Sequence, residues 1–92
     1  MSSIVIDLRV RNHSGTMSHI TGLFARRAFN LAAIRCAPVG DGSESRMLLL
    51  VPATPRLEQI ERQLARLHDV LSVHLREDLD EAVFRIEEAV VN

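Results

Sequence analysis

Arg11–Gly22 reads RNHSGTMSHITG, and this stretch decides the fold. It leaves an alternating apolar run, passes through Asn12-His13-Ser14-Gly15, and opens into a helical pattern. A strand, a tight polar turn and a helix start together gather several unpaired backbone N–H groups at one point. Those donors and the positive end of the helix dipole suit a small anion such as a carboxylate. No general base, nucleophile or metal cluster accompanies the turn, so the expected chemistry is binding without transformation.

Upstream, Ile4, Ile6, Leu8 and Val10 alternate with Val5, Asp7, Arg9 and Arg11, the period of a strand with one buried and one wet face. Gly15 is the residue of the turn that takes positive φ without strain. Downstream, Met17, Ile20, Leu23, Phe24 and Ala28 fall on one side of a helix, and Asn30 is expected to end it as a left-handed cap. A second strand is expected over Leu31–Val39, followed by a Gly40-Asp41-Gly42-Ser43 hairpin loop. Arg46–Val51 is apolar enough to predict a central, covered strand. Thr54-Pro55 predicts a helix start, and Leu57, Ile60, Leu64 and Leu67 give that helix its apolar seam. Leu71, Val73 and Leu75 alternate as a fourth strand. The order β-α-β-β-α-β predicts an α+β, ferredoxin-like fold: a four-stranded antiparallel sheet with two helices on one face. Residues 1–77 would form this domain. A C-terminal helical extension would occupy 78–92, opened by Asp78 with Glu81 three residues later and lined by Leu79, Ala82, Val83, Ile86 and Val90.

Ninety-two residues make one small domain, helped by oligomerisation. Eleven basic residues, all Arg, nearly balance twelve acidic ones, which argues against a general nucleic-acid binder. Three Phe and no Trp or Tyr are too few for a base-stacking platform. The N-terminus lacks a basic region before its apolar residues, and no apolar run is long enough to span a bilayer, so no membrane association is expected. A single Cys points to a reducing, cytoplasmic setting. Cys36, in an apolar strand, is expected to be a small buried hydrophobe. The six-residue separation of His13 and His19 lacks the ligand spacing of a metal site. His68 and His74 are expected at the surface. Related topologies serve metallochaperones and RNA-recognition domains, but the chain has neither a CxxC pair nor aromatic residues on its central strands.

The segment RNHSGTMSHITGLFARRAFNLAAIRCAPV, from Arg11 to Val39, resembles the opening of the small regulatory subunits of bacterial acetohydroxyacid synthase (acetolactate synthase), in particular the short isozyme I type. The carrying pattern is Asn-x-x-Gly followed by Gly-Leu-Phe-x-Arg-Arg-x-Phe-Asn. The resemblance implies an ACT domain, whose element order is the one read above. It further implies a non-catalytic, allosteric subunit of branched-chain amino-acid biosynthesis that binds and activates a large catalytic subunit. That subunit would carry thiamine diphosphate, Mg²⁺ and FAD, with no cofactor in this chain. Feedback inhibition by valine and a side-by-side homodimer with effector at its interface are implied as well. Carried over by position, the effector residues would be Asn12, Gly15 and Asn30, flanked by Ser14, Thr16 and Met17. Met17 and Ile34 would supply an apolar wall. Ser14 departs from a proline common at that position, and the chain from Arg76 onward follows the pattern less closely. Against this stand a free-standing amino-acid sensor, a ligand-free interaction module, and an acylphosphatase-like enzyme. The last is disfavoured because the turn lacks a dense glycine cradle with an adjacent Arg.

Overall fold

The computed structural model describes residues 2–85. The chain runs β1 (Ser3–Arg11), α1 (Thr16–Arg26), β2 (Ala33–Val39), β3 (Glu44–Pro52), α2 (Leu57–Ala65) and β4 (Val70–Arg76), followed by a 3₁₀ turn at Glu81–Phe84. The four strands form one antiparallel sheet in the order β2-β3-β1-β4. The predicted element order and pairing are therefore borne out, including the central position of the most apolar strand, β3.

Alternation in β1 works as the sequence implies on one face. Ile6, Leu8 and Val10 meet Met47, Leu49 and Val51 of β3 and the helix residues Ile20, Leu23, Phe24, Ile60 and Leu64 in the main core. The other face is not wholly wet. Val5 is fully buried with Leu48 and Leu50 beneath Leu79, Val83 and Phe84, which fold back across the sheet after β4. Arg35 ties this cover down by donating from its guanidinium to the Val83 carbonyl at 2.7 Å. Beside it, Asp7 accepts from both Arg46 and Arg76, and Arg76 also grips Asp78.

The C-terminal segment starts differently from the expected helix. Asp80, not Asp78, caps it, accepting from the Ala82 N–H at 2.9 Å, and the turn is 3₁₀ rather than α. Arg85 is already extended, and the remainder of the predicted 78–92 helix lies outside the described residues. Asp78 is unavailable as a cap because Arg76 engages both its carboxylate oxygens.

Two further departures have local causes. β4 carries a bulge opposite Arg9 and Val10: Ser72 pairs with Arg9 and Val70 with Val10, so Leu71 is the extra residue. The bulge turns Val70 toward the core and leaves Leu71 40% exposed. α1 ends at Arg26, before the expected Asn30, and the left-handed residue is Ala28 with φ 56°. The Phe29 N–H donates to the Phe24 carbonyl and the Ala28 N–H to that of Ala25, the paired closure of a Schellman motif. Phe24 and Phe29 seal it edge to face, with ring centroids 5.9 Å apart. Arg56 lies over the Phe29 ring and donates to the Arg27 carbonyl. An L-residue in the left-handed region costs about 1–2 kcal/mol. Ala28→Gly should therefore stabilise the chain by about 1 kcal/mol, raising Tm by roughly 4–8 °C in a circular-dichroism melt.

Candidate functional site

The β1–α1 turn is built around Gly15, whose φ of 93° places it in the left-handed region that favours glycine. No side chain caps α1 there; the Thr16 N–H donates to the His13 carbonyl and the His19 N–H to that of Gly15, which leaves the Met17 and Ser18 N–H groups for another acceptor. Thr16 takes the inward position expected of Met17. Its Oγ1 donates to the Arg11 carbonyl at 2.9 Å, closing the turn, and the residue is buried. Met17 is consequently 42% exposed.

Met17 borders a groove of about 220 Å³ lined by Asn12, His13, Thr16, Cys36 and Met47 among others. Such a volume is below the roughly 300–1,000 Å³ of pockets that take drug-sized ligands. It suits a smaller ligand with a short apolar group. Asn12 is anchored across the β2–β3 hairpin: its backbone N–H donates to the Ser43 carbonyl and its Nδ2 to that of Gly42, at 2.7 Å. Its Oδ1 is the atom suited to an ammonium group.

Of the seven predicted effector residues, the structure brings Asn12, Thr16 and Met17 to the groove, with Ser14 and Gly15 in the adjoining turn. Asn30 is elsewhere, in a separate cavity beside Phe29, Thr54 and Arg56. Ile34 packs against the main core, two residues along β2 from the groove. Cys36 and Met47 complete the apolar wall and were not anticipated. Cys36 is exposed rather than buried, because β2 is an edge strand and one side of the groove is open.

Asp69 lies in the turn between α2 and β4. It is 3% exposed, and its Oδ1 accepts from His13 Nε2 at 2.8 Å while its Oδ2 accepts from His19 Nδ1 at 2.7 Å. Its backbone carbonyl also accepts the Arg11 N–H at 2.9 Å. The two histidines thus converge on one carboxylate, some fifty residues away in sequence. No local spacing could have announced that.

Three paired aspartates, Asp7, Asp69 and Asp78, titrate low. Hydrogen bonds from His19 and then His13 lower the Asp69 pKa, those from Arg46 lower Asp7, and the Arg76 guanidinium brings Asp78 to about 2. A carboxyl lowered on folding contributes stability above its unfolded value and loses it as pH falls through its folded value. These carboxylates should therefore keep the melting temperature steady down to about pH 5 and let it fall between about pH 4 and 2, as thermal melts across that acid range would register.

A four-stranded antiparallel sheet in the order β2-β3-β1-β4, with its two helices on one face, is the architecture of the ACT class of regulatory domains. Comparison with known proteins gives the family. Residues 6–72 match the AHAS small subunit-like ACT domain, and the chain belongs to that family. It is 45% identical over 82 residues to the acetolactate synthase isozyme 1 small subunit of Escherichia coli, covering 89% of this chain and 84% of that one. With the acetolactate synthase small subunit of Haemophilus influenzae it shares 41% identity over 70 residues, 75% of this chain and 43% of that one. The crystal structure of the acetolactate synthase small subunit from Thermotoga maritima superposes with a TM-score of 0.77 at 30% identity, over 88% of this chain and 51% of that chain. The family assigns a regulatory rather than catalytic subunit. No helix among the described residues is long and apolar enough to cross a membrane.

Proposed function

We propose that this chain binds a branched-chain amino acid, valine foremost, at the β1–α1 turn and transmits its presence to the large catalytic subunit of acetohydroxyacid synthase in the cytoplasm. The observation that carries this reading is the groove at Asn12, Thr16 and Met17, beside an uncapped helix start, in a chain of the small-subunit family. The Met17 and Ser18 N–H groups receive the effector carboxylate, Asn12 Oδ1 accepts from its ammonium, and Met17, Cys36 and Met47 meet its isopropyl group. Thiamine diphosphate, Mg²⁺ and FAD belong to the catalytic subunit, which the small subunit activates when free of effector. Activation and inhibition are then differential binding, with a coupling on the order of 1–3 kcal/mol that is reciprocal at equilibrium.

A homodimer would reconcile the separation of Asn30 from Asn12 within one chain. β2 is an edge strand whose outer hydrogen-bonding side lacks a partner among the described residues, a feature that pairing with a second copy removes. An antiparallel two-fold at Cys36 sets Ala33 against the partner subunit's Val39. That pairing brings the β2–β3 turn of one protomer toward the start of β2, just after Asn30, in the other. Gly42 in that turn is the residue whose carbonyl holds Asn12, so each site would draw one Asn from each protomer.

Calorimetric titration of the purified chain with L-valine, with D-valine and L-leucine as controls, tests the reading. Stereoselective binding is expected, with mild oxidation cross-linking the dimer through Cys36. Failure of the chain to co-purify with a catalytic subunit would favour a free-standing sensor.

A further inference from the structure

The contacts of His13 constrain its protonation by geometry. Nε2 faces Asp69 Oδ1 at 2.8 Å and Nδ1 faces the Ser14 carbonyl at 2.9 Å. Both partners are acceptors, and the third neighbour, Thr16 Oγ1 at 3.5 Å from Nδ1, gives its hydrogen to the Arg11 carbonyl, so both contacts are hydrogen bonds only when both ring nitrogens carry hydrogen, as in the imidazolium. Loss of one proton leaves a lone pair facing an oxygen and forfeits one of the two bonds. His19 imposes no such condition, since its Nδ1–H alone satisfies Asp69 Oδ2.

The position of this ring matters because the cluster encloses the effector turn. Asp69 holds Arg11 before the turn through its backbone carbonyl, His13 within it, and His19 one helical turn beyond. The His19 ring lies against Gly15, 3.9 Å from where a Cβ would stand. With His13 charged, the Asp69 carboxylate is balanced. With His13 neutral, the Asp69 carboxylate loses that counter-charge beside the helix start. The charged and titratable groups around His13 are Arg11 on β1, which opposes its charge, His19 on α1, Asp69 on the α2–β4 turn, and the Cys36 thiol on β2 across the groove. The Ser14 carbonyl first, and then Asp69, raise the His13 pKa.

We propose that His13 is a proton-operated clasp on the β1–α1 turn, so that carboxylate binding there strengthens as His13 takes up its second ring proton. The clasp stands on the geometry just given; its link to the effector rests on the function proposed above. The signs agree for both consequences. A raised His13 contributes stability fully below its unfolded value and loses it as pH rises through its folded value. Over that same interval the site loses a positive charge, and affinity for a carboxylate falls.

The experiment is a histidine-resolved NMR titration of the full chain, paired with L-valine calorimetry at pH 6 and pH 8 in buffers of different ionisation enthalpy. His13 should titrate above the ordinary 6.5, and Asp69→Asn should bring it down. Valine should bind more weakly at pH 8 by roughly three- to thirtyfold, within the limit of about tenfold per pH unit that one linked proton allows. Proton uptake should accompany binding. His13→Gln should flatten the pH dependence while His19→Gln retains it. A His13 titration at the ordinary value overturns the clasp, whatever valine does. A raised His13 with pH-independent valine affinity overturns the coupling and leaves the effector reading intact. Absence of valine binding at both pH values overturns the effector reading, and the coupling falls with it.

Discussion

Gly15→Asp is expected to lower L-valine affinity by at least about 30-fold while the chain stays folded, for a reason that is mainly electrostatic. A Cβ at Gly15 meets nothing closer than the His19 ring at 3.9 Å, so space is not the obstacle. The backbone at φ 93° makes any side chain there strained, by about 1–2 kcal/mol, and Asp is among the residues that bear it best. A carboxylate near an uncapped helix start also recovers some stability from the dipole. The same placement tethers an anion where the effector carboxylate is to be received. Two unit charges about 4 Å apart repel by roughly 4 kcal/mol at an effective dielectric of 20, and half of that is already about 30-fold. Gly15→Ala separates the causes, since it carries the strain without the charge and should lose much less affinity. Calorimetry on both variants, with circular dichroism to confirm folding, measures this. Unchanged valine affinity in Gly15→Asp would remove the effector from the turn.

The largest effect on stability is expected at Leu49, which is fully buried at the centre of β3, between Ile6 on β1 and Ile34 on β2. Leu49→Ala should cost about 2–5 kcal/mol, part lost transfer energy and part unfilled cavity. For a domain of this size that lowers Tm by more than about 10 °C. Leu50→Ala, one residue on and facing the opposite side, should cost distinctly less. Its covering layer is a short turn of Leu79, Val83 and Phe84, which can settle into the space more readily than two packed helices can. Denaturant unfolding of the two variants gives the comparison. Equal losses would make the outer layer as rigid as the inner one.

What the sequence made legible was most of what period governs. Alternation and helical spacing placed four strands, two helices and the inner core, because one buried face leaves a repeating mark. What escaped was set by single hydrogen bonds or by distant residues. Thr16 displaced Met17 from the interior because its hydroxyl reaches the Arg11 carbonyl. Leu71 turned outward because a bulge consumes one residue. Ala28 holds the left-handed position that Asn30 would suit chemically, because the Phe24–Phe29 contact fixes where α1 stops. At the candidate site, Asn12, Thr16 and Met17 were found because the turn is contiguous in sequence. Cys36, Met47 and Asp69 reach it only through strand pairing and the α2–β4 turn, and Asn30 does not reach it within one chain.

The segment that returns over the sheet changes what counts as the unit of folding. The family match stops at residue 72 and β4 at Arg76, yet Val5, Leu48 and Leu50 owe their dryness to residues beyond both limits. A boundary drawn after residue 77 would leave every strand and helix in place and still strip one side of the sheet bare. The chain so shortened would keep its architecture and acquire an adhesive strip along its two central strands, an invitation to self-association that the longer chain withdraws with a single turn of backbone.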